Sequence, residues 1–411
     1  MSQHLPPSNL NFDGLGIVPK VMETLDRLKF TVPTPIQHQA IPIATDGKDI
    51  MGIAQTGTGK TLAFSIPMVQ HLAQKKGRGL VLLPTRELAI QVDETVQKIA
   101  HPFGIKTAVL IGGASMFHQV QALRKHPRVL IATPGRLLDH MEQKNVMLAD
   151  VNVLVLDEAD RMLDMGFQPQ IERILRSVPR DRQTMLFSAT MPAEIVKIAT
   201  TYMKLPVRVE IARSGTAAEN VTHELFIVRK DAKRELLGKL LRQYRGTILV
   251  FSRTKIGAQK ITTALRHAGQ NAAEIHSDRS LGQRREALEG FKSGRYRVLV
   301  ATDIAARGID VTGIELVLNY DLPEDAESYV HRIGRTGRAG HAGHAISFAT
   351  PEQEDEVRNI EKLIHKALPV ADHPEFPSER FVPPVKQPTR SFSTSRRGHT
   401  PAKYRKRSRW M

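Results

Sequence analysis

The chain has 411 residues, 41% hydrophobic and 25% charged, which suits two or three packed domains and excludes a short disulfide-stapled module. Cysteine is absent, so disulfides, thiolate nucleophiles and Cys-ligated zinc are excluded, and nothing points to an oxidising compartment. Lys and Arg number 59 against 42 Asp and Glu, a net charge of +17, which predicts a polyanionic partner, with nucleic acid ahead of an anionic membrane.

Residues 1–16 lack the basic-then-apolar pattern of a signal peptide, and no apolar run approaches the roughly 18 residues of a membrane span. The expected address is the cytoplasm, with no membrane partner. Short apolar runs then alternate with helical patterns. Strands are expected at Ile50–Ile53, Leu80–Leu83, Ala108–Ile111, Val129–Ala132, Val153–Leu156 and Met185–Phe187. A second series follows at Ile248–Phe251, Ala273–Ile275, Val298–Ala301, Leu316–Leu318 and Ala345–Phe348. Runs this short and apolar on both faces read as parallel strands covered by helices, so the fold class is α/β, seen twice.

The small, polar stretch Ala212–Asn220 reads as a linker between a domain of residues 1–211 and one of residues 221–370. Arg128-Val-Leu-Ile-Ala-Thr133 recurs as Arg297-Val-Leu-Val-Ala-Thr302, which suggests two similar modules. Residues 371–411 hold ten Lys and Arg against three Asp and Glu and are rich in Pro and Ser, so they read as a disordered basic tail.

Polar clusters sit at the carboxyl ends of the expected strands, where open parallel sheets bind ligands. Gln55-Thr56-Gly57-Thr58-Gly59-Lys60-Thr61, between a strand and the expected helix Leu62–Gln74, reads as a phosphate-binding loop. Gly57 and Gly59 let amides approach phosphate oxygens, Lys60 supplies a positive charge, and the Thr61 hydroxyl can ligate magnesium. Ala54 stands where the motif usually begins with Gly. Asp157 and Glu158 end another strand; in an ATPase of this kind the first holds Mg2+, usually through water, and the second orients and deprotonates the attacking water. The sixteen His residues show no close metal-ligand spacing, so no structural zinc is expected.

With Asp157-Glu158-Ala159-Asp160, the sequence resembles the DEAD-box family of ATP-dependent RNA helicases in helicase superfamily 2, from Phe12 to Phe348. The resemblance implies two tandem RecA-like domains of the P-loop NTPase type, ATP and Mg2+ as cofactors, and RNA as partner. Phe30 to Gln37 looks like the family's Q motif, with Phe30 stacking on adenine and Gln37 reading its edge. Pro84-Thr-Arg86, Gly112-Gly113 and Thr133-Pro-Gly-Arg136 are similar to its first-domain RNA contacts. Ser188-Ala-Thr190 matches the motif linking hydrolysis to strand separation. Thr302-Asp303 with Arg307 and Asp310 resembles the motif touching RNA and the ATP ribose, and His331 to Arg338 the motif whose Arg335 and Arg338 are arginine fingers. His331 joins the coupling residues, and Arg284 takes the place of an RNA-contacting Arg although Ser277 and Leu281 replace the usual Gly and Gln.

The motif set and short basic tail resemble most the bacterial RhlE-type subgroup. Such proteins imply a monomeric ATPase that separates short RNA duplexes, with ribosome-assembly or RNA-decay machinery as protein partners. An ATP-gated RNA clamp or annealing protein, and a DNA helicase of the same superfamily, remain open on residues alone.

Overall fold

A computed structural model describes residues 11–55, 57–211, 221–306, 311, 313–337 and 343–382. The first domain holds seven strands: β1 (Ile50–Ile53), β2 (Arg78–Leu82), β3 (Thr107–Leu110), β4 (Val129–Ala132), β5 (Val151–Leu156), β6 (Gln183–Ser188) and β7 (Val207–Glu210). They lie in the order β3-β4-β2-β5-β6-β1-β7, every pairing parallel. The second holds β8 (Val221–Ile227), β9 (Thr247–Phe251), β10 (Ala272–Ile275), β11 (Val298–Ala301), β12 (Ile314–Asn319) and β13 (Gly343–Ala349), ordered β10-β11-β9-β12-β13-β8 and again all parallel. Apolar clusters fill both faces of each sheet, as buried parallel strands require.

The two sheets are wound identically, β8 to β13 retracing β1 to β6. The sequence echo falls on corresponding strands, β4 and β11. Its hydrogen bonds correspond as well: the Arg128 and Val129 amides donate to the Lys106 carbonyl, the Arg297 and Val298 amides to that of Asn271. Both copies end in a Thr whose amide returns to the neighbouring strand, Thr133 to Leu110 and Thr302 to Ile275.

Strands β7 and β8 are absent from the sequence expectations. Both are edge strands, and the polar residues they interleave, Arg208 and Glu210 in one, Thr222, His223 and Glu224 in the other, break the apolar run that marks a central strand. The linker 212–220 lies outside the described residues.

The expected tail boundary at Val370 needs correction. Residues 371–382 run back over the second domain: the Ala371 amide donates to the Leu225 carbonyl (2.9 Å), that of Glu379 to Ile227 (2.7 Å) and that of Val382 to Pro351 (2.9 Å). Phe376 and Phe381 pack on the domain's apolar clusters. Pro and Ser in this stretch serve an irregular strap along β8, with edge-strand carbonyls accepting hydrogen bonds in place of a further strand. The rest of the expected tail, residues 383–411, lies outside the described residues.

Candidate functional site

The helix Lys60–Gln74 follows β1 directly, and Gly59 caps it in the left-handed region at φ +90°. A side chain there would be strained and would collide with Gln37, so the phosphate loop needs glycine at this point. Lys60 is buried, and its Nζ donates to the Ala54 carbonyl across the loop (2.8 Å). The Thr58 hydroxyl donates to the Gln55 carbonyl (2.7 Å), and Thr61 occupies the helix's second position. Thr56 lies outside the described residues.

Gln37 is buried, with its amide oxygen on the Thr34 backbone N–H (2.9 Å) and its amide nitrogen on the Gly59 carbonyl (3.0 Å). Its amide is thus engaged within the chain, tying the capping box of helix Pro35–Thr45 to the phosphate loop. Phe30 stands 41% exposed, unusual for a large apolar ring.

Glu158 follows β5 in left-handed backbone geometry (φ 51°, ψ 50°), which costs a non-glycine residue about 1–2 kcal/mol and turns its carboxylate into the cleft. Burial would raise its pKa, but the positive charges of Arg161, Lys60 and Arg335 outweigh that and hold it below the ordinary carboxylate range. Arg161 forms a short ion pair with it. Asp157 differs: burial dominates and pushes its carboxyl up to about 6, with Lys60 offsetting only part. A buried acid in this condition is a fitting seat for a divalent cation, which would restore its ionised form.

The sign of the Asp157 shift has a stability consequence. The folded state holds the proton more tightly than the unfolded one, so stability is lost as pH rises from about 4 through 6. Asp157→Asn should therefore raise the Tm of nucleotide-free protein at pH 7–8 by a few degrees, roughly 2 kcal/mol, with the gain vanishing below about pH 4. Melting curves across pH test this; an equal gain at every pH removes burial of the charge as its cause.

Asp160 anchors the Ser188–Thr190 segment. One carboxylate oxygen accepts from the amides of Ala189 (3.0 Å) and Thr190 (2.8 Å) and from the Thr190 hydroxyl (2.9 Å), while its own amide donates to the Ser188 hydroxyl (3.2 Å). Burial raises its pKa, yet Lys60 and these Thr190 and Ser188 bonds bring it below the usual value.

His331 and Arg335 come from the second domain to line the same pocket as Lys60, Glu158, Asp160 and Arg161. The residues expected to form an ATPase site are therefore brought together from both domains. Arg338, Arg307 and Asp310 lie outside the described residues.

On the same edge, the Arg86 guanidinium packs on the Gly112–Gly113 turn, where φ at Gly113 is +74° and any β-carbon would strike it. Arg136 donates to the Ala114 carbonyl (3.0 Å), and Thr133 caps the helix Pro134–Glu142. Thr302 and Arg253 line an interdomain cavity of about 800 Å3 together with Thr190 and His331.

Arg284 is not an open phosphate contact. It is 6% exposed and pairs with Glu87 of the first domain at 2.8 Å. Burial outweighs even this partner and lowers its pKa. A buried pair costs desolvation, and removing one partner leaves an uncompensated charge, so this contact fixes the register of closure more than it tightens it. The sequence reading passed over Glu87, Arg161 and Asp160 as site residues. Asp160 stands inside the quoted Asp157–Asp160 motif and Glu87 directly follows the quoted Arg86, but the partner of Glu87 is 197 residues away and no local pattern reveals it.

A DEAD/DEAH box helicase family model matches residues 34–198, and a helicase conserved C-terminal domain model matches residues 232–340. The ATP-dependent rRNA helicase RRP3 of Candida albicans is 43% identical over 367 residues, spanning 88% of this chain and 69% of the relative. The DEAD-box ATP-dependent RNA helicase CshA of Geobacillus kaustophilus is 43% identical over 377 residues, 91% and 79% of the two chains. Among solved structures, Mss116p (NTE and C-tail double deletion) bound to ssRNA and AMP-PNP superposes with a TM-score of 0.81 at 26% identity, covering 91% of this chain and 82% of that one. S. cerevisiae Dbp5 bound to RNA and ADP BeF3 gives 0.76 at 30% identity, covering 87% and 93%. Phosphate loop, buried acids and arginine from opposite domains, and relatives matched along most of their length agree: the chain belongs to the DEAD-box ATP-dependent RNA helicases.

Proposed function

We propose that Lys60, Thr61, Asp157, Glu158, Arg335 and Arg338 carry ATP hydrolysis, with Phe30, Gln37, the Gln55–Thr61 loop and Asp310 holding the nucleotide. The observation that carries this reading is Arg335 of the second domain in one pocket with Lys60 and Glu158 of the first. Mg2+ held by Thr61 and Asp157 would supply charge neutralisation at the phosphates. Glu158 orients the attacking water, its carboxylate kept ionised and aimed by Arg161. Phosphoryl transfer needs positioning and electrostatics above all, so a site split between domains acts only when they close.

RNA is taken as a single strand by Arg86, Gly113, Thr133 and Arg136 from one domain and Thr302 from the other. ATP and RNA then favour the same closed state, and linkage makes each strengthen the other. A strand bent across the cleft leaves its duplex partner, so short duplexes separate locally. The motif set and basic C-terminal residues support placement with the RhlE-type subgroup; a cytoplasmic address and a monomeric state go with that placement. The rRNA helicase relatives support an RNA substrate of ribosomal kind, and the resemblance to the family alone supports ribosome-assembly or RNA-decay machinery as protein partners.

Ser188, Thr190 and His331 pass the nucleotide state to the interdomain surface. Replacing the Ser188 and Thr190 hydroxyls removes two of the four hydrogen bonds that join this segment to Asp160 and touches no phosphate-binding group. A Ser188→Ala, Thr190→Ala protein should keep RNA-stimulated ATPase within a few-fold and lose duplex separation by about tenfold or more. Parallel measurement of both activities decides it: equal losses sink the coupling role.

A further inference from the structure

Because the sheets share one winding order, each strand end from β1 to β6 has a counterpart in the second domain. β8 corresponds to β1 and β12 to β5. Lys233 opens the helix after β8 as Lys60 opens the helix after β1. Asp157 comes directly after β5 and Asp321 one residue further on from β12, and their amides bond to the last residues of the corresponding strands β2 and β9, Leu82 (3.1 Å) and Phe251 (3.3 Å). The second domain thus holds a lysine–aspartate pair, 3.6 Å apart, where the first holds its phosphate-loop lysine and cation-binding acid.

That pair is sealed from solvent on the lysine side. Lys233 is 3% exposed, its Nζ donates to the Tyr320 carbonyl (2.9 Å) and lies 5.7 Å from the Tyr320 ring centre. The loop before it, Arg229-Lys230-Asp231-Ala232, has no glycine to build an amide cradle for a triphosphate. Outside the pair lies a cleft of about 710 Å3 between this loop and the helix Lys255–His267, with Tyr320 in its lining. Lys230, Arg234 and Lys260 face it, all exposed and with no ion-pair partner among the described residues. The cleft's one carboxylate, Asp231, is engaged by Arg229 (3.6 Å).

We propose that this cleft binds the sugar–phosphate backbone of the RNA strand where it leaves the interdomain cavity on the second-domain side. Three uncompensated cations and an aromatic side chain suit a phosphate-bearing strand, and the missing amide cradle disfavours a compact nucleotide. A short chain of residues links the cleft to the RNA path. Tyr320 directly precedes Asp321, whose carboxylate accepts from the Ser252 hydroxyl (3.2 Å) and the Arg253 amide (3.0 Å), and Arg253 lines the interdomain cavity beside Thr302. The inference rests on the RNA path through Thr302 proposed above.

The test uses the full chain with a non-hydrolysable ATP analogue and two single-stranded RNAs, one just filling the interdomain cavity and one several nucleotides longer at each end. Wild type should hold the longer strand more tightly. The Lys230→Ala, Arg234→Ala, Lys260→Ala protein should lose that gain, about tenfold or more, and its salt slope for the long strand should fall by about 2, at about 0.7 per phosphate. Affinity for the short strand, the melting curve and the ATPase stimulated by the short strand should stay unchanged. A charge-keeping Lys230→Arg, Arg234→Lys, Lys260→Arg protein should retain the gain. Equal long-strand affinity in wild type and the alanine variant overturns the proposal, as does the same loss on both strands. Calorimetric binding of tripolyphosphate that the variant loses while its long-strand affinity is intact assigns the cleft to a free anion and overturns the strand reading. Failure of wild type to bind the short strand strikes the RNA path itself, and the cleft's role with it.

Discussion

Glu158→Gln should slow ATP turnover by about 10²–10⁴ while leaving ATP and RNA binding near wild type. The amide keeps the size of the carboxylate and an oxygen for Arg161 to donate to, so the left-handed turn after β5 and the pocket survive. What disappears is the negative charge that Arg161, Lys60 and Arg335 keep ionised, and with it the group proposed to align and deprotonate water. Because ATP and RNA are proposed to favour the same closed state, a variant that keeps its ATP should accumulate long-lived closed complexes on RNA, visible as slowed RNA release with ATP but not with ADP. Pre-steady-state hydrolysis is the decisive measurement. A rate within threefold of wild type would move the base elsewhere and leave Glu158 as a structural partner of Arg161.

The motifs at strand ends were legible because their chemistry is local: a glycine-rich loop between strand and helix, adjacent acids after an apolar run, arginines at defined spacing. The repeated Arg-Val-Leu-x-Ala-Thr segment foretold two similar modules, and the common winding order of the sheets bears that out. Contacts between distant residues were not legible. Arg284 reads as a phosphate ligand by its place in a motif, yet its burial against Glu87 follows from domain closure, which no spacing encodes. Asp157 and Glu158 are neighbours of the same chemical type, and only burial geometry separates them, one raised by desolvation and the other held down by three cations. Edge strands escaped for the opposite reason to motifs: β7 and β8 mix polar and apolar residues as half-exposed segments do. The strap after Val370 escaped because it has no periodicity, its order coming from hydrogen bonds to β8 and two partly buried rings.

Where the chain is cut after β13 should separate stability from RNA affinity. Residues 371–382 contain all three acids of the last forty-one residues and one Arg, whereas residues 383–411 contain nine Lys and Arg and no acid. A chain ending at Val382 should melt like the full chain, keep RNA-stimulated ATPase at saturating RNA, and bind RNA more weakly with a flatter salt dependence, each phosphate released lowering the slope by about 0.7. A chain ending at Val370 loses the strap as well. The Leu225 and Ile227 carbonyls give up their bonds from Ala371 and Glu379, and the surface under Phe376 and Phe381 is exposed. Two partly buried rings and three backbone bonds contribute about 3 kcal/mol or more, so Tm should fall by roughly 6–12 °C. The second domain supplies Arg335, so ATPase activity should fall with it on warming, at a temperature where the chain ending at Val382 still works. Thermal melts of the three chains with RNA titrations across a salt series provide the check. Equal Tm for the chains ending at Val370 and Val382 would make the strap a passive surface segment, and an unchanged salt slope on removing residues 383–411 would assign those cations to something other than RNA.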